Sequence, residues 1–254
     1  MYRPRLIPVL LLHHGGLMKS IKFKNYQYIG DPINAVKIFN DLKADELVFL
    51  DIDATKEGRI IDLKLVKEIG EEANMPFSVG GGISSTNQIK QLIQAGCERV
   101  IIGHEAVARP RFIKEATDTF GTSTISICMD IKKSIFGKEY VWSNNGKIQH
   151  KIDPVDFARQ MEDCGAGELI VQSITKDGVM SGFDIELVKR ISDAVTISIV
   201  ALGGGGNLNH FKELFQHIPT SGIASGSKFV YQNEMKGVLI NYPSESEKRK
   251  IYEY

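Results

Sequence analysis

Two glycine-rich stretches could hold the phosphate groups of a ligand. Residues 77–84 have the sequence Phe-Ser-Val-Gly-Gly-Gly-Ile-Ser, and residues 199–207 have the sequence Ile-Val-Ala-Leu-Gly-Gly-Gly-Gly-Asn. This order predicts a strand followed by a helix N-terminus, where free N–H groups and the helix dipole favour an anion. Glycine also lets a phosphate approach the backbone closely. A single glycine run more often marks only a tight turn, but two copies in matching context favour phosphate binding.

Carboxylates at predicted strand ends are the candidates for proton transfer. Asp130 follows an apolar run, so its side chain should point into a cavity where burial raises its pKa. Asp51 and Asp53 end an earlier predicted strand, and Asp177 stands in a later loop. Each of these could instead cap a helix or a turn. Asp130 is therefore the predicted catalytic residue.

The histidines and cysteines are weaker candidates for catalytic residues than Asp130. His13 and His14 follow the first predicted strand and could line a cavity mouth, although adjacent loop histidines are more often exposed and inert. Cys128 has no identifiable base beside it, so we do not predict a thiolate nucleophile. The three cysteines show no C-x-x-C spacing, which indicates a reducing compartment without disulfides or a zinc site. We predict no metal and no cofactor.

Short apolar runs alternate with amphipathic segments along the whole chain, and this alternation predicts one (β/α)₈ TIM barrel. Periodicity alone leaves a doubly wound open sheet as the alternative. Two interruptions follow the first and fifth strands: a long loop from His13 to Gly30, and a small hairpin within Lys132–Lys151. The predicted strands are Arg5–Leu12, Glu46–Ile52, Phe77–Gly80, Arg99–Gly103, Thr124–Asp130, Glu168–Ser173, Thr196–Ala201 and Gly222–Ser225. The predicted helices are Pro32–Leu42, Asp62–Ala73, Thr86–Ala95, Pro110–Thr119, Pro154–Cys164, Asp184–Ala194, Leu208–Gln216 and Lys228–Asn241.

The chain repeats itself at about half its length. Glu46-Leu47-Val48 matches Glu168-Leu169-Ile170 at a spacing of 122 residues, and the triple glycine at 80–82 matches that at 203–205 at a spacing of 123. A nearly constant spacing predicts two duplicated half-barrels, about 1–122 and 123–242, in a single domain. The mixed charges of residues 243–254 predict a short, solvated polar tail.

Barrels of this class bind ligands at the C-terminal ends of their strands, and the duplication would supply two anion sites there. A ligand with a phosphate at each end would fit. The predicted phosphate-binding residues are Gly82, Gly103 and His104 around the first site, and Gly204, Gly205, Gly226 and Ser227 around the second, together with Asp177 and Gly178.

The charge and hydropathy pattern argues against nucleic acid and membranes as partners. The 254 residues include 31 basic and 31 acidic side chains, so no net field favours nucleic acid or an anionic membrane. The apolar run at residues 6–12 is too short to span a bilayer and has no cleavage site after it. We therefore expect a cytoplasmic protein with a phosphorylated small-molecule ligand.

Several motifs together resemble the HisF family, the cyclase subunit of imidazole glycerol phosphate synthase, over essentially the whole chain. They are Leu6-Ile7-Pro8, Gly30-Asp31-Pro32, residues 45–51, residues 76–83, Gly165-Ala166-Gly167-Glu168, and Asp177-Gly178 followed by Ser181-Gly182. The resemblance implies a (β/α)₈ barrel with a HisH-like glutaminase on its N-terminal face, which sends ammonia through the barrel to the active site. It also implies a gate of charged residues at the entrance: Arg5, Glu46, Arg99 and Glu168. Arg99 stands where the family usually has lysine.

One residue departs from the family pattern. Cyclisation in the family depends on two aspartates, at the ends of strands 1 and 5. The second is present as Asp130, but the first position holds Leu11. The internal repeat aligns Leu11 with Asp130 at a spacing of 119 residues. The next loop is also changed, to His13-His14-Gly15-Gly16, although Lys19 remains. A leucine cannot transfer a proton.

These observations leave several functions open. We favour an ammonia-conducting subunit that works with a HisH-like glutaminase and a separate sugar amidotransferase, to place an acetamidino group on a polysaccharide sugar. The alternative is an authentic cyclase, in which His13, His14 or Asp51 replaces the missing aspartate. A third is a non-catalytic module that senses a phosphorylated metabolite. A related sugar-phosphate isomerase of histidine synthesis also needs an acid from strand 1, so Leu11 counts against it equally.

Overall fold

Twelve strands and eleven helices lie within the part of the chain that the computed structural model describes, residues 3–134, 137–232 and 237–253. The strands are β1 (Arg5–His13), β2 (Gly16–Ile21), β3 (Lys24–Gly30), β4 (Leu47–Asp51), β5 (Phe77–Gly80), β6 (Arg99–Ile102), β7 (Ile125–Lys133), β8 (Glu139–Ser143), β9 (Ile148–Gln149), β10 (Glu168–Ser173), β11 (Ser198–Leu202) and β12 (Gly222–Ser225). The helices are α1 (Pro32–Asp41), α2 (Ala54–Glu57), α3 (Leu63–Glu72), α4 (Thr86–Gln94), α5 (His104–Ala108), α6 (Pro110–Phe120), α7 (Pro154–Asp163), α8 (Ile185–Ser192), α9 (Leu208–His217), α10 (Ser227–Val230) and α11 (Glu245–Tyr252). In these ranges, no helix combines the length and the apolar character needed to cross a membrane.

Eight of the strands form a closed parallel barrel. β1, β4, β5, β6, β7, β10, β11 and β12 pair in that order, and β12 pairs with β1 to close the ring. The predicted TIM barrel is thus confirmed. The open sheet is wrong, because an open sheet would leave β1 and β12 unpaired with each other. The duplication of half-barrels stays a prediction.

Strand β1 shows how the sequence builds two separate cores. Leu6, Leu10 and Leu12 point outward into the large core between strands and helices, whereas Ile7 and Val9 point into the barrel. Because side chains alternate along a strand, Leu11 also points inward and packs against the inner core. Position 11 therefore faces the barrel interior, as its place in the internal repeat predicts.

The segment after β1 is a hairpin, so the predicted loop from His13 to Gly30 is wrong. β2 pairs antiparallel with both β1 and β3. The turn between β1 and β2 has His14 at φ 51° and Gly15 at φ 78°, the left-handed geometry that tight hairpins need. The predicted second hairpin is present as β8 and β9, while residues 135 and 136 of that segment lie outside the described residues.

The C-terminal segment is folded, so the predicted solvated tail is also wrong. Ser244 caps α11, and the hydroxyl of Tyr252 donates a hydrogen bond of 2.8 Å to the carbonyl of Pro4. Lys248 lies 2.8 Å from Asp45 and over the ring of Tyr242. The prediction rested on the many charged residues of this segment. It failed because Lys248 is buried and paired with Asp45.

The eighth predicted helix, Lys228–Asn241, is shorter than expected. α10 ends at Val230, and the next residue, Tyr231, forms an antiparallel bridge with Val238. Residues 233–236 of that prediction lie outside the described residues.

Replacing Lys248 by Met should destabilise the barrel by about 1–3 kcal/mol, because Asp45 would be left half-buried without its ion pair. Urea unfolding followed by circular dichroism measures the change. Lys250→Met on the exposed face of α11 is the matched control and should stay within about 0.5 kcal/mol of the parent protein. Equal stability of the two variants would contradict the role given to Lys248.

Candidate functional site

A cavity of about 310 Å³ opens at the C-terminal end of the barrel. Side chains from five barrel strands, β1, β4, β6, β7 and β10, line its inner wall: Leu11, Leu50, Ile101, Cys128, Asp130 and Gln172. The hairpins after β1 and β7 add Tyr26 and Trp142 at the mouth. This is the end at which barrels of this architecture carry out chemistry.

Asp130 lies in this cavity, as predicted from its place after an apolar run. Burial raises the pKa of Asp130 to about 7, with a further contribution from the negative charge of Asp177. A carboxyl group with this pKa is populated in both forms near neutral pH, so it can accept or donate a proton.

Leu11 lines the same cavity. Besides Asp130, the carboxylates that line the cavity within the described ranges are Asp51 and Glu105, and each is bound to an arginine. Asp51 lies 2.5 Å from Arg59, and Glu105 lies 2.5 Å from Arg109. Asp51 also accepts hydrogen bonds from the backbone of residues 53 and 54, so it shapes the start of α2. The cavity therefore holds the hydrocarbon side chain of Leu11 and the carboxyl group of Asp130. Among the described residues, it offers no second carboxylate that is free of an arginine partner.

Cys128 differs from its predicted surroundings. Its Sγ lies 3.8 Å from the carboxylate of Asp130, so the prediction that no base stands beside it is wrong. The two side chains meet because residues 128 and 130 share one face of β7. Burial, with the charge of Asp130, raises the pKa of Cys128 well above its usual value. The neutral thiol is therefore the stable form, which disfavours a nucleophilic thiolate.

Gly82, Gly103 and His104, the residues predicted for the first phosphate site, all line the cavity. Packing alone explains Gly82, because a Cβ atom there would lie 1.7 Å from the carbonyl oxygen of Arg59. Gly103 is different: a Cβ atom would meet only the carbonyl oxygen of Cys128, at 3.6 Å. Among these glycines, Gly103 is therefore the one that leaves room for a ligand.

Sequence reasoning missed two polar residues beside His104. Nδ1 of His104 lies 3.4 Å from the hydroxyl of Ser143, which lies 2.8 Å from Nε2 of His150. Burial and the neighbouring His104 lower the pKa of His150. Ser143 and His150 belong to the β8–β9 region, so only the hairpin fold brings them to α5; the sequence carries no local signal for the contact.

Gly103→Ala should weaken the binding of inorganic phosphate by about tenfold while leaving stability nearly unchanged, since the added methyl group occupies ligand space without a clash. Gly82→Ala should show the opposite pattern, a large loss of stability from its backbone clash. Titration followed by ³¹P NMR and thermal unfolding separate the two effects. Unchanged phosphate binding by a folded Gly103→Ala protein would remove Gly103 from the site.

The residues predicted for the second phosphate site meet in one small pocket beyond β11 and β12. Asp177, Gly178, Gly204, Gly205, Gly226 and Ser227 all line it, together with Lys19. Nζ of Lys19 lies 3.1 Å from the carboxylate of Asp177, and both side chains are buried. Since a carboxylate repels phosphate, Asp177 can serve an anion here only by holding the ammonium of Lys19.

The four predicted gate residues also come together, at the opposite end of the barrel. Arg5 binds Glu46 at 2.5 Å and also binds Glu168, and Nη1 of Arg99 lies 3.4 Å from Glu46. Burial raises the pKa of Glu46, and the charge of Arg5 opposes that rise. The ring is a set of mutually compensating charges in which both carboxylates are buried.

Hydrocarbon separates this ring from the cavity. The inner core of the barrel is apolar, and a narrow void touches both the ring carboxylates and the residues below the cavity floor. The inner-core residues are Ile7, Val9, Val48, Ile101, Ile170, Val200, Leu202 and Ala224. Such a lining disfavours ions more than small neutral molecules.

His13 and His14 lie beside Asp53 at the rim and are not part of the cavity lining within the described ranges. Burial raises the pKa of Asp53, but hydrogen bonds from the His14 backbone and the His13 ring outweigh it and lower the pKa. The grouping is local: it follows from the tight β1–β2 turn lying next to the end of β4.

Comparisons with known proteins decide the family. The histidine biosynthesis protein family matches residues 5–236. A protein of Leptospira interrogans, provisionally named imidazole glycerol phosphate synthase subunit HisF, is 40% identical over 253 residues, which are 99% of this chain and 100% of its own. The chain belongs to the HisF family. It is therefore a HisF-type subunit of the lyase or cyclase class.

Other HisF relatives are similar over nearly their full length. A Vibrio vulnificus protein, provisionally named subunit hisF3 of the same synthase, is 40% identical over 100% of this chain and 98% of its own. The imidazole glycerol phosphate synthase subunit HisF of Clostridium botulinum strain Langeland is 35% identical over 95% of this chain and 96% of its own.

Proposed function

We propose that this HisF-type chain is the synthase subunit of a glutamine amidotransferase complex and conducts ammonia for a reaction outside histidine synthesis. A HisH-like glutaminase would dock on the N-terminal face, at the ring of Arg5, Glu46, Arg99 and Glu168. The observation that carries the proposal is Leu11, which lies in the same cavity as Asp130 where cyclisation needs a second acid.

The ring and the barrel interior support the ammonia route. Ion pairs link Glu168, Arg5, Glu46 and Arg99 in that order, and this layer would restrict the passage of water and ions until a partner rearranges it. Beyond the ring, the apolar inner core favours neutral ammonia over ammonium, because a bare cation loses its hydration there. The route ends at Asp130, whose pKa of about 7 suits proton exchange with arriving ammonia.

The acceptor we propose is a polysaccharide sugar that gains an acetamidino group, with a separate sugar amidotransferase making the new bond. In that arrangement the barrel delivers ammonia and binds a phosphorylated ligand, but does not need a pair of proton carriers. A hydrocarbon side chain at position 11 is then tolerated.

The second candidate is an authentic imidazole glycerol phosphate synthase cyclase, which would convert the substrate PRFAR and ammonia to imidazole glycerol phosphate and AICAR. The name of the Clostridium botulinum relative, at 35% identity, favours it. It would require another group to replace the acid at position 11, and the lining carboxylates Asp51 and Glu105 are both engaged by arginines.

The test of the proposed function combines the chain with the HisH-like glutaminase of its own organism. We expect the barrel to raise glutamine hydrolysis by about 5- to 150-fold, the usual range of coupling between two sites. Glu46→Gln should remove most of that activation, because Arg5 and Arg99 lose their shared partner.

Arg99→Lys is the matched control. It introduces the lysine that the family usually has, keeps the positive charge that lies 3.4 Å from Glu46, and should keep activation within about twofold. Full activation by the Glu46→Gln protein would remove the ring from the coupling. Turnover of PRFAR with ammonia by the parent protein at rates typical of HisF enzymes would establish the second candidate instead.

A further inference from the structure

Three side chains that could bind a metal ion meet at the rim of the barrel, outside the cavity lining described above. His13 ends β1, His14 stands in the β1–β2 turn, and Asp53 follows β4. One ligand atom from each, two imidazole nitrogens and a carboxylate oxygen, lie within 4.8 Å of one another. Nδ1 of His13 lies 2.8 Å from Asp53, and Nδ1 of His14 lies 3.8 Å from it.

We propose that His13, His14 and Asp53 bind one divalent transition-metal ion of the zinc type. Two imidazoles with one carboxylate form a ligand set that Zn²⁺ accepts readily. Three protein ligands leave a further coordination position open, so the ion would hold water or an oxygen of a bound ligand.

The two distances from the histidine nitrogens to Asp53 are compatible with such an ion. Ligands about 2.0–2.1 Å from a tetrahedral metal lie roughly 3.3 Å from each other, and the two measured separations, 2.8 and 3.8 Å, fall on either side of that value. The small rearrangement falls on His14, whose side chain is 73% exposed and whose ring lies 4.0 Å from that of His13.

Asp53 is already oriented for the role. It is buried, and one of its oxygens accepts a hydrogen bond of 2.9 Å from the backbone N–H of His14. A carboxylate fixed by a backbone N–H is the kind of outer-shell support that metal ligands commonly have.

The ion would join two elements that border the cavity. His13 belongs to β1, and its ring lies 5.0 Å from the ring of Tyr26, which lines the mouth. Asp53 follows Ile52, another lining residue. A bound ion would hold the β1–β2 turn against the end of β4. This inference does not depend on the ammonia route or on the acceptor.

The test uses the full chain, treated with a chelator and kept reduced, and titrates it with Zn²⁺ by calorimetry. We expect one equivalent to bind and the melting temperature to rise with Zn²⁺ concentration. His14→Gln should weaken binding by more than about tenfold, since even loss of an outer-shell partner costs 10- to 100-fold. Its exposure means that the variant should fold, and Asp53→Asn provides a second variant.

His217→Gln, on the exposed end of α9, is the matched control and should bind Zn²⁺ as the parent does. Co²⁺ replaces Zn²⁺ to report the ligands: visible bands without a sulfur-to-cobalt charge-transfer band support nitrogen and oxygen ligands. Binding of less than one equivalent, unchanged binding by the His14→Gln and Asp53→Asn proteins, or a sulfur band from a cysteine site would each overturn the proposal.

Discussion

Asp130→Asn should make the protein more stable than the parent at pH 8 and nearly equal to it at pH 4. The pKa of Asp130 is raised from its ordinary value near 4 to about 7 by burial and by Asp177. The folded state therefore binds this proton more tightly than the unfolded state. The stabilisation is fully present below the unfolded pKa and is lost as pH rises through the folded pKa.

The expected stability difference between the two proteins at pH 8 follows from how far the pKa of Asp130 is raised. About three pKa units at 1.36 kcal/mol each set an upper value of roughly 4 kcal/mol, and contact with cavity water reduces it to about 2–4 kcal/mol. Asparagine carries no charge, so it avoids this cost at high pH. Urea unfolding at a series of pH values from 4 to 8 measures the difference between the two proteins.

Asp118→Asn, on the exposed face of α6, controls for a general effect of removing a carboxylate, and its stability difference should not vary by more than about 0.5 kcal/mol over the same range. A pH-independent difference for Asp130→Asn would mean that Asp130 is not a raised carboxyl group. If the ionised form of Asp130 destabilises the folded protein at pH 8, that loss of stability is typical of functional sites.

The barrel was predictable because its strands carry their own signal. In β1, successive side chains point alternately inward, as Ile7 and Val9 do, and outward, as Leu6 and Leu10 do. The two glycine runs indicate that a strand-and-helix unit occurs again in the second half of the chain. Parallel strands in a closed barrel then bring their ends together automatically. The gate residues Arg5, Glu46, Arg99 and Glu168 came from the resemblance to the HisF family, and the barrel explains why they meet, because all four lie at or next to the starts of strands.

The parts that escaped prediction depend on contacts between elements. α11 looks too charged to pack, yet Lys248 is buried because Asp45, about two hundred residues away, pairs with it. The β1–β2 hairpin needs a histidine at positive φ, a conformation that residues other than glycine rarely adopt, and Asp53, which follows β4, stabilises that turn. Local pattern cannot report a partner that only the closed barrel brings near.

Leu11→Asp should raise turnover of PRFAR with ammonia by at least about 10²-fold over the parent protein, because it restores the missing proton carrier opposite Asp130. Asp and Leu have similar widths, and position 11 already faces the cavity, so the new carboxyl group enters existing space. Leu11→Asn is the matched control: it has nearly the same shape as Asp but cannot exchange a proton, and should give no gain.

The outcome separates two histories of the site. A gain with Leu11→Asp but not with Leu11→Asn would mean that the cavity still binds PRFAR, and that the residue at position 11 alone withholds cyclisation. No gain in a folded Leu11→Asp protein would mean that the cavity no longer binds PRFAR, so the acceptor has changed as well as the acid. Two carboxyl groups in one cavity also raise the pKa of one of them, so any restored activity should fall as pH rises well above 7 and the shared proton is lost.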